Sequence, residues 1–138
     1  MFNPEKFTDN KGELNQEMDK NREKIEKAIQ EIKEAVKDIK DPRLLFVGIA
    51  YKENTDDMRS SNVLKIIHEL MEDGFQHIDY NDPYIPHINQ TAFSIPINEK
   101  ILTNYDATII GTRHEDLDLD FLKKYSKIFV DISNIITE

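Results

Sequence analysis

The sequence predicts an α/β domain in which helices flank a parallel sheet, preceded by one long amphipathic helix. Residues 44–47 form an unbroken apolar run that ends in Gly48, a pattern typical of a strand buried on both faces. Between residues 63 and 71, apolar side chains recur at helical spacing. A buried strand followed by an amphipathic helix is typical of a βαβ unit, which belongs to a parallel sheet.

The N-terminal part of the chain predicts a tail and a linker helix. Residues 1–14 show little apolar periodicity and are expected to form a flexible tail. Residues 15–41 predict a helix that ends at Asp41 and Pro42, because proline lacks an N–H and restrains the residue before it. The apolar side chains of this helix follow steps of four and three residues: Ile25, Ile29, Ile32, Val36 and Ile39. This stripe favours two alternatives, packing on the sheet or pairing with a second helix in a dimer.

Residues 42–138 predict a single Rossmann-like domain of alternating strands and helices. The first helix, 61–72, has Ser60 or Ser61 as its N-cap and Gly74 just beyond its end. Further strands are predicted at 77–80, 93–95, 108–111 and 128–131, and further helices at 99–103 and 120–125. Ligands of such sheets bind beyond the carboxyl ends of the strands. The segments that follow strands are therefore expected to share one rim: Tyr51 and Lys52, Asp82, 112–114 and 131–134.

Composition excludes several classes of function. The 138-residue chain has no cysteine, which excludes disulfides, a thiolate nucleophile and cysteine-bound metal centres. Residues 44–138 carry 16 acidic and 8 basic side chains, so general binding to nucleic acids or anionic membranes is disfavoured. The chain shows no signal-peptide pattern and no apolar run long enough for a membrane span, and it is expected to be cytoplasmic.

The segment between the first strand and its helix is a candidate anion site. Lys52 and Arg59 precede a helix N-terminus, where free N–H groups and the helix dipole favour a phosphate. The flexible ammonium of Lys52 suits a phosphate, and the Tyr51 ring could bracket a sugar or a base. The alternatives are that both cations only balance neighbouring acidic residues, and that Tyr51 is a packed aromatic at the base of the loop.

Other polar residues predict structure rather than chemistry. Asp56 and Asp57 are expected to cap the loop rather than hold a metal, and Asp82 is expected to form a turn with Pro83. Three of the four histidines lie in unrelated sequence contexts, so no zinc site is expected. The fourth, His114, is expected to have a structural role in a turn.

Three segments together resemble the C-terminal domain of the UDP-glucose/GDP-mannose dehydrogenase family. AYKENTDDMRSS at 50–61 resembles the signature that opens that domain, IDYNDPYIP at 78–86 resembles its Y-x-DPY-x-P segment, and DATIIGTRH at 106–114 resembles a strand and turn near its end. The resemblance covers residues 44–134. The residues of these segments are most similar to those of the UDP-N-acetylglucosamine 6-dehydrogenase branch.

The resemblance implies roles for three residues. Tyr51 and Lys52 match the family's aromatic–lysine pair that contacts the UDP-sugar, and Arg59 matches an arginine that touches NAD held by another domain. It also implies that the long helix links two domains and packs in a dimer. In the place of a substrate-binding arginine the chain has Ser133, so one expected cation is missing.

The function expected from the sequence is the UDP-binding domain of an NAD-dependent UDP-sugar 6-dehydrogenase of polysaccharide precursor synthesis. The catalytic cysteine and the dinucleotide fingerprint G-x-G-x-x-G are absent, so this chain alone is not expected to transfer hydride. The alternative is a non-catalytic interaction or dimerisation module that has lost its ligand.

Overall fold

The computed structural model describes residues 16–52, 54–58 and 61–136. The elements in chain order are α1 (Gln16–Ala35), β1 (Arg43–Val47), α2 (Asn62–Glu72), β2 (His77–Asn81), β3 (His87–Ile88), β4 (Ala92–Phe93), α3 (Glu99–Leu102), β5 (Ala107–Ile110), α4 (Leu119–Tyr125), β6 (Phe129–Asp131) and α5 (Ser133–Ile136). The strands β1, β2, β5 and β6 form a parallel sheet in the order β2-β1-β5-β6. This confirms the predicted Rossmann-like α/β fold.

The central strand β1 is buried on both faces because its residues alternate between two cores. Leu44 and Phe46 pack in a core with α1, α2 and α5. Leu45 and Val47 pack on the opposite face, in a core with Leu102 of α3 and Leu122 of α4. The sheet is therefore the middle layer of three, and its carboxyl edge is left for loops.

Local signals set the bounds of α2. The Ser61 hydroxyl accepts a hydrogen bond from the N–H of Leu64 (3.3 Å) and donates to the carbonyl of Ile49 (2.7 Å). Gly74, just past the helix, has φ of 102°, a conformation that glycine adopts without steric cost. Ser61 is thus the N-cap, and its second bond fixes the start of α2 against the beginning of the loop that follows β1.

Helix α1 ends earlier than predicted. The regular helix stops at Ala35, and residues 36–40 form turns in which Lys37 N–H bonds the carbonyl of Glu34 and Ile39 N–H bonds that of Val36. These bonds span three residues instead of four, so the helix tightens and ends before the chain reaches Asp41 and Pro42.

The apolar stripe of α1 is buried inside its own domain. Helix α1 contacts α2, α5 and β6. The stripe residues Ile25, Ile29, Ile32 and Val36 are each at most 5% exposed, and Ile39 is partly buried. Of the two alternatives, packing on the sheet layer accounts for this burial. The prediction that two chains pair through these four side chains is wrong, because the side chains already face the core of their own domain.

Polar contacts hold α1 in this position. The side-chain amides of Asn21 and Asn62 exchange hydrogen bonds of 2.8 Å, and Asn62 also donates to the carbonyl of Ile136 at 3.2 Å. Arg22 meets the carboxylate of Glu69 on α2 with two guanidinium nitrogens. The amide pair joins the beginnings of α1 and α2 to the end of α5.

We expect Ile32→Ala to lower the free energy of unfolding by about 2–5 kcal/mol, because it leaves a cavity in the place of a fully buried side chain. Urea denaturation followed by circular dichroism measures the loss. Gln30→Ala, on the exposed face of the same helix, is the matched control and should change stability by less than about 0.5 kcal/mol. Equal effects of the two substitutions would contradict the packing of α1 on the domain.

Two short elements were not predicted. The strands β3 and β4 form an antiparallel hairpin of two residues each, of which only the second was expected, at 93–95. Helix α5 has four residues and begins where the last strand ends. Both are too short for a periodic pattern to show.

Within the described residues, no helix is long and apolar enough to cross a membrane.

Candidate functional site

The site forms where the strand order reverses. The chain passes from β1 to β2 on one side and then returns across β1 to β5 on the other, so the loops after β1 and β5 diverge at the centre of the sheet. Gly48 N–H bonds the carbonyl of Asn81 (2.8 Å), and Thr112 N–H bonds the carbonyl of Gly48 (3.0 Å). These bonds hold three strand ends together at one rim, as the sequence predicted.

A cavity of about 370 Å³ opens at this rim. One wall is apolar and consists of Val47, Ile97, Leu117, Phe121 and Leu122. The polar lining includes Asn81, Thr112, His114, Asp116 and Asp118, and its described residues include no lysine or arginine. Its volume suits a small organic ligand, and its charge favours hydrogen-bond donors over anions.

Hydrogen bonds to the surrounding backbone fix two polar side chains of the cavity, Asn81 and Asp118. The Asn81 amide donates to the carbonyl of Ile95 (2.6 Å), which fixes the side chain at the end of β2. Asp118 caps α4, where its carboxylate accepts from the N–H of Phe121 (3.1 Å). The polar lining is therefore set by the secondary structure around it and needs little rearrangement to meet a ligand.

Asp82 lies beneath the rim and is 0% exposed. Its Oδ2 accepts from the backbone N–H groups of Ile49 (2.9 Å) and Ala50 (3.2 Å), and its Oδ1 accepts from the N–H of Tyr84 (2.9 Å). The bond to Tyr84 forms the turn that the sequence predicted. The bonds to Ile49 and Ala50 were not predicted, and they tie the loop after β1 to the end of β2.

The charge of Asp82 also acts on Tyr80. Burial, assisted by that negative charge, raises the pKa of Tyr80 to about 12. The phenol donates its O–H to the carbonyl of Ile85 (2.8 Å). This bond closes the turn after β2 from inside the core.

His114 joins Asp82 to the loop after β1. The ring is 5% exposed, its Nε2 lies 2.9 Å from Asp82 Oδ2, and its Nδ1 lies 2.7 Å from the backbone N of Asn54. A backbone N–H can only donate, so Nδ1 is the acceptor and Nε2 carries the proton given to Asp82. The structural role predicted for His114 is thus confirmed, as a buried bridge and not only as a turn residue.

Asn54 completes the connection. It adopts φ of 57°, which asparagine tolerates better than most residues. Its side-chain oxygen accepts from the N–H of Glu115 (2.8 Å), and its amide donates to the Glu115 carboxylate (3.3 Å). The loop after β1 is therefore fastened to the loop after β5 by backbone and side chain together.

The predicted ligand residues Tyr51 and Lys52 lie on the exposed part of this loop. Tyr51 is 38% exposed, so it is not the packed aromatic of the alternative, and the Lys52 ammonium lies 5.7 Å from the centre of its ring. Neither residue lines the cavity. Arg59, the predicted NAD contact, lies outside the described residues.

Ser133, which the resemblance equates with a substrate-binding arginine, is 4% exposed and bonded to Asp131. Its backbone N–H and its hydroxyl both donate to Asp131 Oδ1, at 2.9 and 2.5 Å. These bonds begin α5 at the end of β6, so this position has a structural role.

Within the described residues, His, Asp and Glu side chains form no group of three or more that could hold a metal ion.

Sequence reasoning missed the cavity itself. Its outer wall comes from residues 116–122 and from Ile97, which are distant in sequence from the loop after β1. The only local signal was the repeated Asp–Leu pattern at 116–119, typical of a helix start rather than of a ligand site.

Residues 45–138 match the family model of the UDP-glucose/GDP-mannose dehydrogenase family, UDP binding domain. The chain belongs to this family. The match includes the strand ends and loops that form the rim, and it confirms the resemblance found in the sequence.

Relatives in the family act on different sugars. UDP-N-acetyl-D-mannosamine dehydrogenase of Pyrococcus horikoshii is 31% identical over 97 residues, covering 67% of this chain and 22% of that protein. UDP-glucose 6-dehydrogenase of Rickettsia bellii is 28% identical over 108 residues, covering 71% of this chain and 25% of that protein. The chain spans about a quarter of the length of these relatives, and the branch within the family is not resolved.

A solved structure of UDP-D-ManNAc dehydrogenase from Pyrococcus horikoshii shares the fold. The superposition gives a TM-score of 0.61 at 27% identity and covers 83% of this chain and 28% of the solved chain. The covered share exceeds the family match, so the likeness extends beyond the residues that the family model aligns.

Proposed function

We propose that this domain holds the nucleotide of a UDP-sugar, with the uridine in the cavity and the diphosphate beside Lys52. The observation that carries this division is the charge of the cavity lining, which includes two carboxylates and, among its described residues, no cation. The uracil N3–H and the ribose hydroxyls are donors, and Asn81, Asp116 and Asp118 offer oxygen acceptors for them. A diphosphate needs positive charge, and Lys52 lies four residues after Gly48, which lines the cavity.

The oxidation itself belongs to a larger assembly in this proposal. Relatives that are dehydrogenases extend well beyond the matched quarter of their length, and this chain has no cysteine for the thiolate and no G-x-G-x-x-G for NAD. The cavity lining does not fit a dinucleotide pyrophosphate, so no step involving NAD is assigned to it. A contact between Arg59 and NAD held by another domain is part of the proposal and follows from family resemblance.

The partners proposed are the remaining dehydrogenase domains and a second copy of the chain. The division into a linker helix at 15–41 and a nucleotide domain at 42–138 belongs to the same proposal, with α1 packed on the domain that it precedes. The burial of the α1 stripe removes the main support for a pure dimerisation module, because that module needed an open apolar seam. A homodimer must therefore use another surface.

We expect Lys52→Ala to weaken the binding of UDP about tenfold to a hundredfold, the value of one charge-assisted hydrogen bond. Calorimetric titration of the full chain with UDP measures the change. Lys37→Ala, on an exposed turn with its ammonium near Glu34, is the matched control and should leave the affinity unchanged.

Backbone amide shifts recorded during the same titration locate the nucleotide. We expect UDP to shift the resonances of Thr112, Asp116 and Leu117, while those of Arg43 and His77 at the opposite edge of the sheet stay fixed. No shift at millimolar UDP, or equal affinity of the Lys52 and Lys37 variants, would contradict the proposed function.

A further inference from the structure

We propose that Asp82 and His114 are positioning residues that hold the ligand loop, residues 49–58, in the conformation that presents Tyr51 and Lys52 to the nucleotide. This proposal rests on the function proposed above for the loop. The structure describes the loop except for residue 53, and the bonds that carry the argument lie on both sides of that residue.

The near side of the loop is fixed at its backbone. Asp82 Oδ2 accepts from the N–H groups of Ile49 and Ala50 at 2.9 and 3.2 Å. The Thr112 hydroxyl donates to the carbonyl of Ala50 at 2.5 Å. The residue directly before Tyr51 therefore has both its N–H and its carbonyl bonded to the neighbouring strand ends.

The far side of the loop is fixed at Asn54. Its backbone N–H donates to His114 Nδ1 at 2.7 Å, and its side chain bonds Glu115. The loop closes on itself where the N–H of Tyr51 donates to the carbonyl of Asp57 at 2.6 Å. Tyr51 and Lys52 thus lie between two anchors, and their side chains stay exposed while the backbone on either side is held.

One carboxylate oxygen connects the two anchors. Asp82 Oδ2 bonds both the near backbone and His114 Nε2, so the same atom fixes the loop base and the imidazole. Because Asp82 requires the proton on Nε2, the lone pair of Nδ1 faces Asn54. The pair therefore acts on Lys52 through the loop and not by touching the ligand's phosphates.

The two nitrogens of His114 can be tested separately. His114→Gln keeps a donor near the position of Nε2 and removes the acceptor for Asn54, whereas His114→Asn keeps an acceptor near Nδ1 and removes the donor to Asp82. We expect H114Q to weaken UDP binding about threefold to tenfold and H114N to weaken it less. Thermal stability should follow the opposite order, with H114N lower, because it leaves a buried carboxylate without one donor.

Hydrogen exchange of the Asn54 amide gives a readout that needs no ligand. We expect this amide to exchange about tenfold faster in H114Q than in the wild-type chain, because the Nδ1 acceptor of His114 is gone. His77→Gln is the matched control, since His77 bonds Asp41 at the opposite edge of the sheet, and it should change neither exchange at Asn54 nor affinity.

A merely structural role predicts that the affinities of the two variants fall in the same order as their stabilities, and that result would overturn the proposal. Unchanged exchange at Asn54 in H114Q would overturn it as well. A wild-type chain that binds no UDP would instead contradict the proposed function, while exchange at Asn54 would still decide whether His114 anchors the loop.

Discussion

Gly48→Ala is expected to prevent folding or to lower the free energy of unfolding by more than about 4 kcal/mol. A Cβ at this position would lie 1.9 Å from the carbonyl oxygen of Thr112 and 2.9 Å from its backbone nitrogen. Those atoms belong to the backbone that follows β5, and the Thr112 N–H is bonded to the Gly48 carbonyl itself. The neighbour cannot rotate away as a flexible side chain would, so two strand ends must separate.

Gly74→Ala is the matched control for this substitution. Gly74 also has positive φ, at 102°, but its Cβ would meet no atom within 4 Å. It should therefore show only the backbone penalty of a left-handed conformation, about 1–2 kcal/mol. Soluble yield and thermal unfolding by circular dichroism measure both variants. Similar losses in the two would show that close packing at the rim does not depend on Gly48.

The second large effect is expected for Asp82→Ala, with a loss of about 3–5 kcal/mol in the free energy of unfolding. The substitution leaves three backbone N–H groups and the His114 Nε2–H without their acceptor at a site that is 0% exposed. Buried donors that lose their partner keep the full cost of desolvation, which exceeds the net value of the bonds themselves.

Denaturation in urea, followed by circular dichroism, measures this loss directly. Asp73→Ala removes a carboxylate that pairs with Lys33 on the surface at 2.7 Å, and it should cost at most about 1 kcal/mol. Asp82→Asn preserves one acceptor oxygen and the side-chain shape, so its loss should fall between the two. An Asp82→Ala variant as stable as the Asp73→Ala variant would mean that the buried network contributes little to the fold.

The fold was predictable because its main signals are local. The side chains of residues 44–47 point alternately into two cores, so all four are apolar. Such a continuous apolar run is typical of a strand that is covered on both faces. Ser61 and Gly74 mark the start and end of α2 by their own backbone chemistry. The hairpin β3–β4 and helix α5 depend on contacts that form only once the chain is folded, such as the bond from Ser94 N–H to the carbonyl of Pro86 (2.9 Å).

The rim of the site and its exposed loop were predictable from the sequence, whereas the contacts between its buried residues were not. Lys52 and Tyr51 are residue types that favour contact with a ligand, and the structure places both on the surface at the carboxyl edge of the sheet. The pairing of Asp82 with His114 joins residues 32 positions apart, and that of Asn54 with His114 joins residues 60 apart. No local spacing encodes such pairs, because they arise from the parallel order of the strands.

The burial of α1 changes where the folding unit of this protein begins. The family match starts at residue 45, yet Ile25, Ala28, Ile29, Ile32 and Val36 belong to the same hydrophobic core as Leu44 and Phe46. A polypeptide cut at the border of the match would leave the outer faces of α2 and β6 open to water, and it would lose the amide link from Asn21 to Asn62. The hydrophobic core therefore extends upstream of the family match, and the linker helix that precedes the match contributes one of its walls.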